Sequence, residues 1–210
     1  TITSELSSNN TTDNSSIQQT PQWPNESELD KLRSIIINDA KDITANSLKD
    51  ITLTDTIEHT IEIEPNSKPF NLKMRPVPQA AKAEFKQTID EMLSTGMITE
   101  SKSNFSSPTN LVRKPDGTQR ITIDYRWLNK ITVKDHYPLP FINSIITSFQ
   151  KAKVFSKMDL SNGYYQVKLS PNSRKYTAFK CEHGFFEYTV MPMGCSNASS
   201  TFQRLMDIVL

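Results

Sequence analysis

Two short segments, "TNLVRKPDGTQRITIDY" and "YTAFKCEHGFFEYTV", most constrain what this chain can fold into. Each holds two strand-like runs broken by a glycine-bearing turn, around Pro115-Asp116-Gly117 and at His183-Gly184. Such turns send the chain straight back on itself, so each segment commits to a hairpin of antiparallel neighbours. Parallel, regularly alternating βαβ architecture is thereby excluded over much of the sequence.

The runs between the hairpins follow helical rather than strand periodicity. From Gln79, the residues Ala81, Phe85, Ile89, Met92 and Leu93 recur at helical spacing, and Gly96 supplies a stop. A proline-rich connection, "HYPLP", leads to a helix bearing Ile142, Ile145, Ile146 and Phe149. A last helix begins near Asn197 or Ser199, either able to cap it, and aligns Phe202, Leu205, Met206 and Val209. "HTIEIE" alternates as a strand closed by "PNSKP", and "VFSKMDL" reads as another strand. A weak helix is expected between Glu26 and Lys49. The fold class is α+β, without an internal repeat.

The first twenty residues include fifteen Ser, Thr, Asn or Gln, which leaves too little apolar surface to balance ordering entropy. This stretch is expected to be a disordered linker. Charge is divided as well. Residues 1–58 hold four basic and ten acidic side chains, and the remainder holds twenty basic and thirteen acidic. An acidic start on a basic body points to a polyanionic partner for the body. Cys181 and Cys195 have no metal-ligand spacing and make no disulfide framework, so a reducing compartment is the expectation. The aliphatic run Ile35 to Ile37 is too short to span a bilayer, and no signal-peptide pattern is present. Opening on Thr1 and stopping at "LMDIVL", inside an amphipathic pattern, the chain reads as a piece of a longer polypeptide.

Three features exceed core building. Asp159 ends an apolar run and precedes "SNGYY", where a carboxylate could hold a metal and the phosphate it neutralises, or could cap the turn. Arg113, Lys114 and Arg120 surround a tight turn that could close over a triphosphate, or could be a solvated tip. In "MPMGCSNASSTFQ", Gly194 and its small neighbours could admit a flat ligand, or could simply feed a helix. His59, His136 and His183 are too far apart for a ligand set, and only Tyr164 and Tyr165 among the aromatics stand out as site walls. Spacing alone leaves each pair of alternatives open.

In order, "IEHTIEI", "SSPTNLVRKPDGTQRITIDYRWLN", "ITVKDHYPLP", "FSKMDLSNGYYQVKL", "KYTAF" with "GFFEYTVMPMG", and "NASSTFQRLMDIVL" resemble the reverse transcriptases of gypsy-type LTR retrotransposons. The resemblance runs from about Ile57 to Leu210. It implies a right-hand polymerase fold, comprising a fingers subdomain and the first part of a palm, preceded by the linker. The implied division is a disordered acidic linker over 1–50, fingers over 51–132, palm over 133–168, a fingers hairpin over 169–191 and truncated palm over 192–210.

By the same resemblance Asp159 is the first catalytic carboxylate, holding two Mg²⁺ ions (Mn²⁺ as an alternative) with the carbonyl of Leu160. Tyr164 matches the aromatic gate that excludes a ribose 2′-hydroxyl. Asn162 and Gly163 meet the triphosphate through backbone N–H groups, and Arg120 packs over the incoming nucleotide. Lys114, or Arg113 if the register slips by one, reaches the γ-phosphate. Met193 lines the nucleotide side of the pocket and Gly194 its template side, while Asp124 and Arg126 contact the template. The implied partners are an RNA template, DNA primer and template strands, deoxynucleoside triphosphates and the rest of a Pol polyprotein, with no membrane. The implied location is cytoplasmic, inside virus-like particles.

Met193, Cys195, Ser199, Asn162 and Tyr165 depart from the family's usual Phe, Leu, Pro, Ser and His, which hints at a divergent or decaying copy. The family's adjacent Asp pair does not occur in the 210 residues, so this chain alone is expected not to polymerise. The alternative reading is a non-catalytic nucleic-acid-binding remnant of such an enzyme. The final helix is expected to leave Phe202, Leu205 and Val209 exposed.

Overall fold

The computed structural model describes residues 25–45, 47–113, 119–149, 157 and 159–210. The chain forms two units. One holds residues 25–45 together with Lys157 and Asp159, and the other holds the remaining described residues.

In the first unit, α1 (Glu26–Asp39) is set by a capping box. The Asn25 side chain accepts from the Glu28 N–H at 3.0 Å, and the Glu28 carboxylate accepts from the Asn25 N–H at 2.9 Å. This helix lies within the stretch read as linker, of which residues 1–24 fall outside the described residues. Its Leu32, Ile35, Ile36 and Ile37 are exposed.

The second unit contains β1 (Thr54–His59), α2 (Lys82–Ser94), β2 (Ile98–Glu100), β3 (Ser107–Arg113), β4 (Gln119–Ile123), α3 (Arg126–Ile131), α4 (Ile142–Ser148), β5 (Val167–Leu169), α5 (Pro171–Arg174), β6 (Phe179–Cys181), β7 (Gly184–Tyr188) and α6 (Ala198–Val209). Five strands form one sheet in the order β2-β7-β6-β3-β4, parallel only between β3 and β6. A parallel pair, β1 with β5, stands apart from it. Both expected hairpins form. The tip of the first (114–118) lies outside the described residues, and the second turns at Glu182-His183, one residue earlier than the glycine suggested.

The strand expected over "HTIEIE" is displaced toward the N-terminus. Parallel pairing with β5 selects Thr54–His59, while Ile63 keeps only an isolated bridge to Thr132. Of the run read as the strand "VFSKMDL", residues 154–156 and 158 lie outside the described residues, and Asp159 and Leu160 are not in a strand.

The core is the inner face of α2 against the sheet and α3. Phe85, Ile89, Met92, Ile98, Leu128, Phe179 and Phe186 are all buried. Leu93, assigned to the same face, lies at its rim and is exposed. On α4 the apolar face is present but not buried, with Ile142, Ile145, Ile146 and Phe149 all exposed. The expectation for α6 is corrected in the other direction. Leu205 is buried and Phe202 half-buried, because α6 packs on β1; of the three residues expected to be exposed only Val209 is, beside Ile208 and Leu210 among the apolar side chains.

Candidate nucleotide and template site

Asn162 takes a left-handed conformation (φ 49°, ψ 43°), which Asn tolerates better than most residues, and starts a 3₁₀ turn over Gly163–Gln166. That turn sends the two adjacent tyrosines to different neighbours. Tyr164 packs on Phe202 of α6, with ring centroids 5.2 Å apart. Tyr165 stacks at 6.1 Å on Tyr188 of β7. Burial raises both phenols above their ordinary pKa, and the nearby Arg120 charge opposes the shift.

Gly163 is required by this arrangement. A Cβ there would lie 2.9 Å from the Phe202 ring and 3.3 Å from the Leu160 Cβ. Gly163→Ala is therefore expected to push Phe202 off Tyr164 and cost about 1 kcal/mol of stability. Urea denaturation of the 210-residue chain measures that cost, and an unchanged midpoint would mean the ring simply swings clear.

Leu48, Thr88, Met92, Arg120, Ile121, Asn162, Tyr165 and Met193 line a cleft of about 370 Å³ in the second unit. Four residues singled out from sequence, Arg120, Asn162, Tyr165 and Met193, thus meet although they come from β4, the 162–165 turn and the loop before α6. The Arg120 guanidinium touches the Met193 sulfur. Gly194 follows with φ +92°, a backbone state that suits glycine, and no atom crowds the side where a Cβ would stand. Asn129 pins this loop from α3, donating to the Gly194 carbonyl at 2.8 Å and accepting from the Ser196 N–H at 3.0 Å.

Asp124 and Arg126 are also together, at the junction of β4 and α3. Arg126 donates to the Asp124 carboxylate through Nε at 2.8 Å and Nη2 at 2.6 Å. Arg75 adds a bond of 2.9 Å. The Arg126 hydrogen bond, with help from Arg75, holds the Asp124 carboxyl at a pKa of about 2.

Not every expected residue joins the cleft. Tyr164 lies against α6 rather than in its lining. Lys114 lies outside the described residues, and the Arg113 side chain is likewise not described. Asp159 belongs to the first unit and is exposed; Leu160, next in the chain, belongs to the second. Sequence reasoning missed Thr88 and Leu48, assigned Met92 to the core alone, and gave no role to Arg75, Asn129 or Tyr188. Only the helical register of Thr88, four residues before Met92 on the α2 face, carried any signal.

A divalent ion such as Mg²⁺ prefers hard oxygen donors, which Asp159 and the Leu160 carbonyl offer. One carboxylate does not make a two-ion clamp, and no group of three His, Cys, Asp or Glu is placed to hold a metal among the described residues. The donor chemistry fits; the donor number does not. No helix among the described residues is long and apolar enough to cross a membrane.

The family described as "Reverse transcriptase (RNA-dependent DNA polymerase)" matches residues 112–210. Over 191 residues, 89% of this chain, the sequence is 37% identical to the retrovirus-related Pol polyprotein from transposon 297 of Drosophila melanogaster. It is 32% identical over 177 residues to the transposon Tf2-3 polyprotein of Schizosaccharomyces pombe. The chain spans only 18% and 13% of those relatives' lengths. In fold it resembles the prototype foamy virus protease–reverse transcriptase, with a TM-score of 0.78 at 24% identity over 89% of this chain and 25% of that one. A structure of the foamy viral protein in complex with an RNA/DNA hybrid matches with a TM-score of 0.73 at 23% identity, over the same shares. An α+β chain whose turn, β4 arginine and pre-α6 loop close one cleft, and which shares this ancestry, belongs to the reverse transcriptases of retrotransposon Pol polyproteins, as a segment of the polymerase.

Proposed function

We propose that this segment supplies the nucleotide- and template-facing surface of an RNA-directed DNA polymerase that adds deoxynucleotides to a primer 3′ end. The observation that carries the reading is the convergence of Arg120, Asn162 and Met193 on one cleft. The foamy viral relative's complex with an RNA/DNA hybrid lends support. In this reading residues 51–132 and 169–191 are fingers, and residues 133–168 and 192–210 are palm.

Arg120 meets the incoming nucleotide's phosphates and base, its guanidinium steered by Met193 and the Tyr165–Tyr188 pair. The turn at Asn162 and Gly163 presents backbone N–H groups to the triphosphate, and Met193 and Gly194 form the wall toward the paired base. Arg113 or Lys114 is the γ-phosphate contact in this reading. Asp159 and the Leu160 carbonyl would hold Mg²⁺ only together with carboxylates supplied from elsewhere in the polymerase. When bound, those ions activate the primer hydroxyl and neutralise the leaving pyrophosphate. The partners are RNA and DNA strands, deoxynucleoside triphosphates and the rest of the polyprotein, in the cytoplasm and within virus-like particles.

The test is primer extension on an RNA template by the chain within its complete polymerase domain, with nucleic-acid binding by the 210-residue chain measured alongside. Extension by the complete domain supports the reading. Binding without extension by that domain would favour a nucleic-acid-binding remnant.

Tyr164 is the gate in this reading, and its ring is set by contact with Phe202. Tyr164→Val in the complete polymerase is expected to raise ribonucleotide incorporation relative to deoxynucleotide roughly tenfold. Single-nucleotide kcat/KM with both sugars measures it, and unaltered discrimination would remove Tyr164 from that role.

A further inference from the structure

Asp124 occupies a position expected to touch the template, yet its surroundings suit it to another task. Its side chain is only 6% exposed. Oδ1 accepts from the Arg126 main-chain N–H at 3.3 Å and from its Nε at 2.8 Å. Oδ2 accepts from Arg126 Nη2 at 2.6 Å and from Arg75 Nη2 at 2.9 Å. The carboxylate is consumed by these bonds, and an incoming strand would meet the arginines instead.

Those arginines are open. The Arg75 side chain is 46% exposed and that of Arg126 is 78% exposed. Arg75 is further fixed through Nη1 to the Asn110 side chain on β3. Two guanidinium groups share one buried anion, so the cluster keeps a formal charge of +1. Each fork retains N–H donors that no protein acceptor uses among the described residues. Fixed, exposed forks of this kind match the oxygens of a phosphodiester.

We propose that Arg75 is a phosphate contact for a single-stranded nucleic-acid segment, paired with Arg126, and that Asp124 is a positioning residue that aims both. This rests on the polymerase reading and adds to it a residue from "KMRPVP", a segment outside the motifs that suggested the family. A contact to phosphate fixes the strand's register and carries no base preference.

The experiment is fluorescence anisotropy of a short labelled single-stranded RNA with the 210-residue chain across a potassium chloride series. For a single strand, the slope of log affinity against log salt falls by about 0.7 for each phosphate that is no longer neutralised. Arg75→Ala is expected to lower the slope by about that amount and to weaken binding roughly tenfold, equally for unrelated sequences. Arg75→Lys should keep most of the slope, because the charge remains, while losing part of the affinity with the fork.

Asp124→Asn separates positioning from simple electrostatics. It removes a negative charge, so charge alone predicts tighter binding, whereas loss of the anchor predicts severalfold weaker binding. Tighter binding would overturn the positioning role. An Arg75→Ala chain that melts at a lower temperature but keeps the wild-type slope would make Arg75 a structural tie only, and would overturn its role at the phosphate. A wild-type chain with no salt-dependent binding would instead remove the polymerase reading itself, and this assignment with it.

Discussion

Asp159→Asn is expected to reduce primer extension by the complete polymerase by roughly four orders of magnitude, the scale seen when a group that works as part of a unit is removed. Binding of template and primer should change by less than about twofold, since phosphate contacts dominate that affinity. The substitution keeps the shape of the side chain and removes only its charge. An Asp that merely capped the following turn would be replaced by Asn at almost no cost, because both residues cap well. No hydrogen bond or ion pair of the Asp159 carboxylate occurs among the described residues, and the side chain is exposed. Steady-state extension at saturating Mg²⁺, with circular dichroism as a check on folding, decides the matter. Extension that survives Asp159→Asn would refute the assignment. Rescue at high Mn²⁺ would strengthen it, because a weakened ligand set is compensated by a more strongly bound ion.

What could be read from the sequence follows the range of each interaction. α2 and the two hairpins are local objects, and the periodicity of Phe85, Ile89 and Met92 and the turn residues announce them. The β1–β5 pair joins segments more than a hundred residues apart, and β5 is only three residues long. With so short a run, alternation says little, and it points to "HTIEIE" where the strand is in fact Thr54–His59. α4 shows the reverse failure. Its pattern gives the helix and its apolar face, but a pattern cannot say whether a partner covers that face, and Ile142 and Ile146 are exposed.

The site divides in the same way. Arg120, Asn162 and Met193 are legible because their motifs stand in a recognisable order, and the cleft brings them together. Tyr165 is legible as a site wall, but Tyr188 and Asn129 act through contacts fixed only by tertiary packing. Arg75 sits in an irregular segment with no periodicity to draw attention to it. Asp124 is found by resemblance, but its burial beneath two arginines is not legible, and burial changes what it can touch.

Mild acid, between about pH 6.5 and 5, should loosen the second unit through His59. It is 1% exposed on β1, and its Nδ1 lies 2.8 Å from the Thr201 hydroxyl on α6. Its Nε2 has no partner among the described residues, so a second ring proton would be buried without an acceptor. Burial lowers the His59 pKa from 6.5 to about 4, against a smaller opposing pull from Asp135. Above the unfolded value the ring is neutral in both states, and no stability is lost. As pH falls from about 6.5 toward 4, the unfolded chain takes up a proton that the folded chain refuses, and stability declines. The expected loss is about 2 kcal/mol between pH 7 and pH 5, approaching roughly 3 kcal/mol at the lower limit. Asp124 does not confuse this window. Its folded pKa of about 2 lies below the ordinary 3.8, so its contribution is lost only in more acidic solution. Urea denaturation at stepped pH tests the effect, with His59→Gln as the comparison. That variant should be less stable near neutrality but nearly flat from pH 6.5 to about 5, above the range in which Glu182, Asp135 and Asp207 take up protons in the unfolded chain. A wild-type chain equally flat over that range would mean that the ring takes up its proton without disturbing the fold. The consequence reaches the site, because Thr201 is followed by Phe202, the residue that backs Tyr164. If Tyr164 is the gate, as proposed, protonation that frees α6 from β1 would release the ring behind it, and the complete polymerase should discriminate less against ribonucleotides at the pH at which stability falls.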